Sequence, residues 1–236
     1  MIPGLTLKEA ADSYMHQVPE VSDYIHRCLR TERWDGHVVL MVVDAAFTSI
    51  GLNYFRSVVP RVEQFRQEFV ETGRVGRLED LSDIDEKIVE HIWKNRRSWQ
   101  MAKSVAAYLA TTKKEKGFDD RQAFIYWAKN ANLDKWQENP VGQINGVGIN
   151  SYQYLRMMGG VDTVMPDKIV KRVIAEMLAK ANVEMPATDI DFVRLVERIA
   201  PEVGYRAIAL CWMTWMVQSE AGMSRMEKYK ELLPKI

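Results

Sequence analysis

Residues 143–174 read QINGVGINSYQYLRMMGGVDTVMPDKIVKRVI, and this stretch decides the fold. Gly146 and Gly148 enclose a valine between segments of helical period, which predicts a tight turn joining two short helices. The helix after such a turn begins with unpaired backbone N–H groups, and these bind anions. Asp167 lies 19 residues beyond Gly148 and opens a further amphipathic helix. The order of these features predicts an anion site beside a fixed carboxylate.

The rest of the chain also has a helical period, and no segment alternates polar and apolar residues as a strand does. We therefore predict an all-α fold of roughly ten to twelve short helices. The clearest predicted helices cover about 35–51, 98–112, 119–130, 149–158, 189–198 and 205–219, and a last amphipathic helix then runs to the C-terminus.

Individual residues predict one helix start and one buried helix face. Asp83 and Glu86 have the spacing of a capping box, which predicts a helix from there through Trp93. In the helix that Asp167 opens, we expect Ile169 to share the buried face with the apolar residues that follow it.

The composition is that of a soluble globular protein. Of the 236 residues, 47% are hydrophobic and 27% are charged, which excludes wholesale disorder. The formal net charge is zero, whereas dedicated nucleic-acid-binding proteins are usually basic. Residues 94–116 nevertheless carry seven Lys or Arg against Glu115 alone, a local excess of 7 − 1 = +6. This run is either a track for phosphates or the solvated face of a helix.

The cysteines and the lack of long apolar runs indicate in which cellular compartment the protein works. Cys28 and Cys211 are far apart in sequence, which excludes a cysteine-ligated zinc or iron–sulfur site and gives no disulfide framework. The four histidines have no ligand spacing. No stretch approaches the roughly 20 apolar residues of a membrane span, and the start lacks the pattern of a secretory signal. We expect a reduced, intracellular protein of the prokaryotic cytoplasm with no membrane partner.

The stretch 143–174 resembles the helix-hairpin-helix superfamily of DNA glycosylases. Its members carry a hydrophobic residue and a G-(V/I)-G turn in the hairpin, then a loop with Gly or Pro, and an aspartate followed by (V/I)-x-R-V. Residues 199–212 are similar to the closing helix of the alkyladenine-type members. The N-terminal half agrees only in its helical character. The cysteine cluster of the iron–sulfur members is absent.

The resemblance implies a two-lobed helical bundle with a DNA-binding cleft between the lobes. We expect residues 34–160 to form a barrel-like lobe that contains the hairpin. Residues 1–33 together with 161–236 would form the second lobe, which carries Asp167 at the cleft.

The activity implied is hydrolysis of the N-glycosidic bond of a damaged or mispaired base flipped out of duplex DNA. Asp167 falls on the catalytic aspartate, which stabilises the positively charged sugar or activates water at its anomeric carbon. Bifunctional members place a lysine two residues after the second hairpin glycine, and Asn150 stands there. Because an amide forms no Schiff base, the match implies a monofunctional enzyme, unless another lysine, of which Lys168 is nearest in sequence, reaches the sugar.

The remaining site residues implied by the resemblance, and the aromatic candidates, form four groups. DNA contacts are expected at Gly146, Gly148, Ile149, Asn150, Ser151, Lys168, Lys171 and Arg172. The walls of a base pocket are expected from Tyr152, Trp127 and Trp212, with Trp136, Tyr154, Tyr205 and Trp215 as further aromatic candidates. The residue that fills the gap left by the flipped base has two candidates, Asn53 and Tyr54. Backbone carbonyls that match a K⁺ or Na⁺ site belong to Gly142, Ile144 and Val147, and no other cofactor is required.

The partner implied is duplex DNA with a damaged or mispaired base, bound by a monomer associated with the nucleoid. Alkylated purines are favoured, while oxidised guanine, uracil and mispaired thymine stay open. Two other interpretations also stay open. One is a non-catalytic DNA-binding module of the same fold, in which Asp167 is only a helix cap. The other is a helical interaction protein in which Gly146–Gly148 is only a turn.

Overall fold

The fold comes from a computed structural model that describes residues 6–19, 21–218 and 236. Within those ranges the chain is all α and contains no strand, which confirms the predicted fold class. The α-helices of the described residues are α1 (Leu7–Met15), α2 (Val21–Leu29), α3 (Val38–Thr48), α4 (Val59–Phe65), α5 (Leu78–Asp83), α6 (Glu86–Val89), α7 (Arg96–Lys116), α8 (Asp120–Asn130), α9 (Ile149–Met158), α10 (Lys168–Lys180), α11 (Asp189–Glu202) and α12 (Ala207–Gln218). The predicted C-terminal helix lies outside the described residues.

Three shorter helical pieces complete the helical structure of the described residues. A 3₁₀ turn, Arg33–Gly36, connects α2 to α3. The π-helical turns Tyr54–Val58 and Arg66–Val70 flank α4, so residues 54–70 are helical without a break. π-Helical turns are rare and occur frequently at functional sites.

The helix ends follow from capping chemistry. Asn95 caps α7 by accepting the N–H of Ser98, and α7 ends at Gly117, whose φ of 68° suits glycine. Asp119 opens α8 in a capping box with Gln122. The predicted helix at 149–158 is confirmed as α9.

The predicted capping box of Asp83 and Glu86 is wrong. Asp83 is the last residue of α5, and Ile84 follows with a ψ of 134°, which breaks the helix. Asp85 instead caps the short α6 by accepting the N–H of Lys87. The two acidic residues therefore belong to two different helices, α5 and α6.

Two further predictions near the C-terminal helices are corrected. Ile169 is 40% exposed, because it lies on the outer side of the first turn of α10 while Val170 is buried. The helix predicted over 189–198 extends to Glu202 and includes Pro201 in its last turn. The following helix begins at Ala207.

The helices pack in two groups. In the first group, α7 contacts α3, α5 and α8, and α9 contacts α3 and α8. In the second, α12 contacts α1, α2, α10 and α11. A contact between α2 and α9 joins the groups, and one buried apolar cluster extends through both. The division into lobes at residues 34 and 160 stays a prediction. None of the described helices combines the length and the hydrophobicity that crossing a bilayer requires.

Candidate functional site

Asp167 is held by both of its carboxylate oxygens at the start of α10. Its Oδ1 accepts the backbone N–H of Val170 at 2.8 Å, which makes Asp167 the N-cap of the helix as predicted. Its Oδ2 accepts the indole N–H of Trp215, on α12, at 2.8 Å. Burial raises the pKa of the half-buried carboxyl, while the two N–H donors oppose that shift. The group is thus a fixed carboxyl whose pKa lies above the usual value of aspartate.

Trp215 connects Asp167 to a group of buried rings, here called the aromatic cluster: Tyr54, Tyr154, Trp212 and Trp215. The centroid of the Trp215 ring lies 5.2 Å from that of Tyr54, 5.8 Å from that of Trp212 and 6.3 Å from that of Tyr154. These separations are typical of packed aromatic side chains. Flat apolar surfaces therefore lie directly behind the carboxylate.

A buried ion pair lies on the far side of the aromatic cluster. The side chains of Arg33 and Asp44 are fully buried, with Arg33 Nη2 at 3.2 Å from Asp44 Oδ2. The same oxygen accepts three further hydrogen bonds, from Trp34 Nε1 at 2.7 Å, from the Tyr54 hydroxyl at 2.9 Å and from the Tyr154 hydroxyl at 3.1 Å. A buried carboxylate with this many donors is well satisfied, which a lone buried charge would not be.

The electrostatics of this pair keep the guanidinium charged. Burial lowers the pKa of Arg33, but the ionisable side chains around it, those of Tyr154, Tyr54, Cys28 and Asp44, raise that pKa well above the usual value. Burial raises the pKa of Asp44, and the Arg33 charge opposes the shift. The guanidinium also lies 4.7 Å from the ring centroid of Trp212, within the range of a cation–π contact.

The backbone that places Arg33 and Trp34 beside the aromatic cluster is strained. Thr31, Trp34 and Asp35 have φ values of 55°, 53° and 56°, in the left-handed region that bulky residues avoid. Such residues cost on the order of 1–3 kcal/mol each and concentrate at functional sites. No motif in the sequence marks this turn, and neither Arg33 nor Asp44 is among the site residues that sequence reasoning proposes.

The predicted hairpin is present and open. The Val147 N–H bonds to the Ile144 carbonyl at 2.9 Å, and Gly146 has a φ of 103°. No side chain caps α9, and a Cβ placed on the exposed Gly148 would meet nothing within 4 Å. A Cβ on Gly146 would lie 3.5 Å from Nε of Arg97, so this exposed α7 arginine lies against the hairpin.

The other predicted DNA contacts differ in their surroundings. Asn150, Lys168 and Arg172 are exposed, whereas Ser151 is buried. Lys171 Nζ pairs with Asp189 Oδ1 at 2.8 Å within the chain, so a phosphate would have to compete with that carboxylate.

The three residues predicted as walls of the base pocket fall in two places. Trp212 belongs to the aromatic cluster, as do Tyr154 and Trp215 from the wider set. Trp127 and Tyr152 instead form a separate edge-to-face pair at 5.6 Å, and Trp136 packs on Tyr152 at 6.0 Å.

Two more predictions concern the gap-filling residue and the cation. Asn53 is exposed, but Tyr54 is buried in the cluster, so of these two only Asn53 is open to DNA. At the predicted cation site, the Ile144 carbonyl already accepts one hydrogen bond and keeps a second lone pair. A Cβ on Gly142 would lie only 1.8 Å from the Trp136 carbonyl oxygen, so only glycine fits there. Across the described ranges, no group of three or more His, Cys, Asp or Glu is arranged to hold a metal.

Comparisons with known proteins agree with the fold. Among solved structures, the chain is similar to the 8-oxoguanine DNA glycosylase of Thermotoga maritima, with a TM-score of 0.52 and 14% sequence identity, over 92% of this chain and 97% of that one. The chain therefore has the all-α fold of a DNA glycosylase. Residues 15–219 match the family described as "Domain of unknown function (DUF8548)", and the chain belongs to that family. No curated protein matches the chain.

Proposed function

We propose that this protein is a monofunctional DNA glycosylase that removes a damaged or mispaired base from duplex DNA. One observation carries the proposal. Asp167 is fixed at a helix start by the Val170 N–H and the Trp215 indole, directly beside the aromatic cluster, in a chain that has the fold of a DNA glycosylase. The structurally similar protein from Thermotoga maritima is an 8-oxoguanine DNA glycosylase, which makes oxidised guanine a candidate substrate here.

The chemistry follows from the charge that develops on the sugar. Breaking the N-glycosidic bond builds positive charge there, and a preorganised carboxylate lowers the barrier because it needs no reorganisation during the reaction. Flipping the base out of the stack costs a few kcal/mol, which damaged or mispaired bases reduce. Trp212 and Trp215 would supply flat surfaces that replace the lost stacking.

The hairpin would hold the DNA backbone. The N–H groups of Gly148, Ile149 and Asn150 would bind a phosphate, with Lys168 and Arg172 beside Asp167 on neighbouring phosphates. In the proposed arrangement, residues 34–160 present the hairpin, and residues 1–33 with 161–236 present Asp167. The carbonyls of Gly142, Ile144 and Val147 would hold K⁺ or Na⁺ and stiffen the turn.

A panel of duplexes tests the proposal. Each duplex carries one lesion or mispair, and strand cleavage after hot alkali reports the abasic sites left by base release. We expect cleavage with at least one substrate. Salt-dependent duplex binding without base release from any duplex would favour the non-catalytic DNA-binding module. If neither binding nor release is detected, the turn at Gly146–Gly148 has no role in binding DNA.

Borohydride trapping tests the monofunctional assignment. Asn150 forms no Schiff base, so we expect base release by the wild type without any covalent DNA adduct after reduction. Asn150→Lys is the matched comparison, since it supplies an amine at the same place. An adduct with the wild-type protein that disappears in Lys168→Gln would instead identify a bifunctional enzyme.

The pH dependence of base release is set by Asp167. The reaction needs the carboxylate anion, and burial raises the pKa of this carboxyl. The proton therefore returns at a higher pH than it does on an exposed aspartate, so we expect the rate to begin falling above the usual aspartate pKa as the pH is lowered. Single-turnover rates, with duplex affinity measured at each pH, check this. A rate that is constant until the usual pKa of aspartate would contradict it.

Arg97 contributes to duplex binding because it is exposed and lies against Gly146. We expect Arg97→Ala to weaken binding of undamaged duplex and to lower the slope of log affinity against log salt by about 1. Lys116→Ala is the control, at the opposite end of the 21-residue α7, about 30 Å away. Equal salt slopes for the wild type and Arg97→Ala would exclude a phosphate contact.

A further inference from the structure

We infer that the buried Arg33–Asp44 pair reads the flipped base, and that it selects a neutral base with a carbonyl next to a ring N–H over a cationic alkylated purine. Such an edge, a lactam, is present in hypoxanthine, uracil and 8-oxoguanine. The inference rests on the proposed glycosylase function and narrows its substrate class. It also departs from the alkylated purines that the C-terminal sequence favours.

The first argument is the position of the pair. Tyr54 bridges it to the candidate catalytic centre: its hydroxyl bonds to both members of the pair, and its ring centroid lies 5.2 Å from that of Trp215. The indole of Trp215 in turn donates to Asp167. A planar group held between Asp167 and the pair would therefore lie among the rings of the aromatic cluster.

The second argument is the hydrogen bonding of Tyr54. Its hydroxyl accepts from Arg33 Nη2 at 2.5 Å and donates to Asp44 Oδ2 at 2.9 Å. A lactam edge has the same complement, because its carbonyl oxygen accepts and its ring N–H donates. The Tyr54 phenol thus occupies, in the free protein, the place that the edge of the base would take. A cationic base would meet the Arg33 charge and would lack this donor and acceptor pair.

The third argument is that Tyr54 can leave the Arg33–Asp44 pair while the other hydrogen-bond partners of Asp44 stay in place. Tyr54 is the first residue of a π-helical turn, and it follows the exposed residues 50–53. Trp34 Nε1 and the Tyr154 hydroxyl also donate hydrogen bonds to Asp44. When Tyr54 leaves, the pair keeps these two donors, so the binding groups stay in position for the base.

A purely structural pair would behave differently on replacement. Buried ion pairs exchanged for apolar residues of similar volume often leave stability unchanged or higher. The double variant Arg33→Met/Asp44→Leu should therefore fold, and a loss of base release with unchanged duplex affinity would indicate a role of the pair in reading the base. The matched control is Arg194→Met/Asp134→Leu, which removes an exposed ion pair.

The experiment measures single-turnover base release from duplexes with hypoxanthine, uracil, 8-oxoguanine, 3-methyladenine or ethenoadenine. We expect the wild type and the control to release one or more of the three lactam bases and neither of the other two. The Arg33/Asp44 double variant should bind duplex normally and lose release on the order of 100-fold or more, as sites built to hydrogen-bond a substrate do when the pairing is lost. Equal release by this variant and the wild type would overturn the inference.

The remaining outcomes separate the inference from the function on which it rests. Release of 3-methyladenine or ethenoadenine alone would refute the inference and keep the glycosylase. Duplex binding with no release of any base would refute the glycosylase itself. If the double variant does not fold, Tyr54→Phe decides, because it removes only the hydroxyl that competes with the base. Release of lactam bases by Tyr54→Phe should exceed that of the wild type, and release equal to or below that of the wild type would overturn the inference.

Discussion

Asp167→Asn is expected to abolish base release while leaving duplex binding intact. The amide carries no charge to stabilise the sugar, and the loss of one preorganised electrostatic contact costs on the order of 100- to 1000-fold in rate. Its oxygen still accepts the Val170 N–H, and asparagine caps a helix about as well as aspartate. Single-turnover release and duplex affinity, measured side by side, separate chemistry from binding.

A nearby carboxylate supplies the control for that experiment. Asp162 accepts the N–H of Ile208 at 3.0 Å and its other oxygen lies 3.7 Å from Arg206 Nη1, so its described partners lie outside the aromatic cluster. Asp162→Asn should therefore release base at close to the wild-type rate. If Asp167→Asn kept the wild-type rate, Asp167 would be a helix cap and nothing more.

Asp44→Ala is expected to produce the largest loss of stability. It leaves the fully buried Arg33 without its counter-charge, and breaking a buried pair in this way costs about 3–5 kcal/mol. The double variant Arg33→Met/Asp44→Leu should recover most of the loss because no buried charge is left. The free energy of unfolding from urea titrations measures both effects.

The exposed pair of Arg194 and Asp134 gives the comparison for stability. Asp134→Ala should leave the free energy of unfolding close to that of the wild type, because solvent screens surface ion pairs. A change equally small for Asp44→Ala would show that Tyr54 and Tyr154 alone satisfy the Arg33 guanidinium.

Much of the fold was predictable because its signals are local. The bounds of α9 and the capping role of Asp167 follow from glycines, a cap and a helical period that lie within a few residues of one another. The error at Asp83 and Glu86 has the same origin: their spacing is that of a capping box, and only the extended backbone at Ile84 shows that it spans two helices.

The candidate site was less predictable because its contacts join distant parts of the chain. Arg33 meets Asp44 across 11 positions and Tyr154 across 121, which no local pattern reveals. The contacts of the aromatic residues of α9 were equally hard to predict from the sequence. Tyr152 and Tyr154 are two positions apart, about 200° around a helix, so one packs on Trp127 and the other bonds to Asp44. Both were plausible pocket walls until the packing of α9 was known.

The identification of a free base by mass spectrometry tests the central claim most directly. The wild-type protein is incubated with the lesion duplexes under single-turnover conditions, and the products are analysed before any alkali is added. We predict the free damaged or mispaired base together with an abasic strand whose backbone is intact. Duplex that is bound yet recovered with every base still attached would contradict the proposal that this protein is a DNA glycosylase.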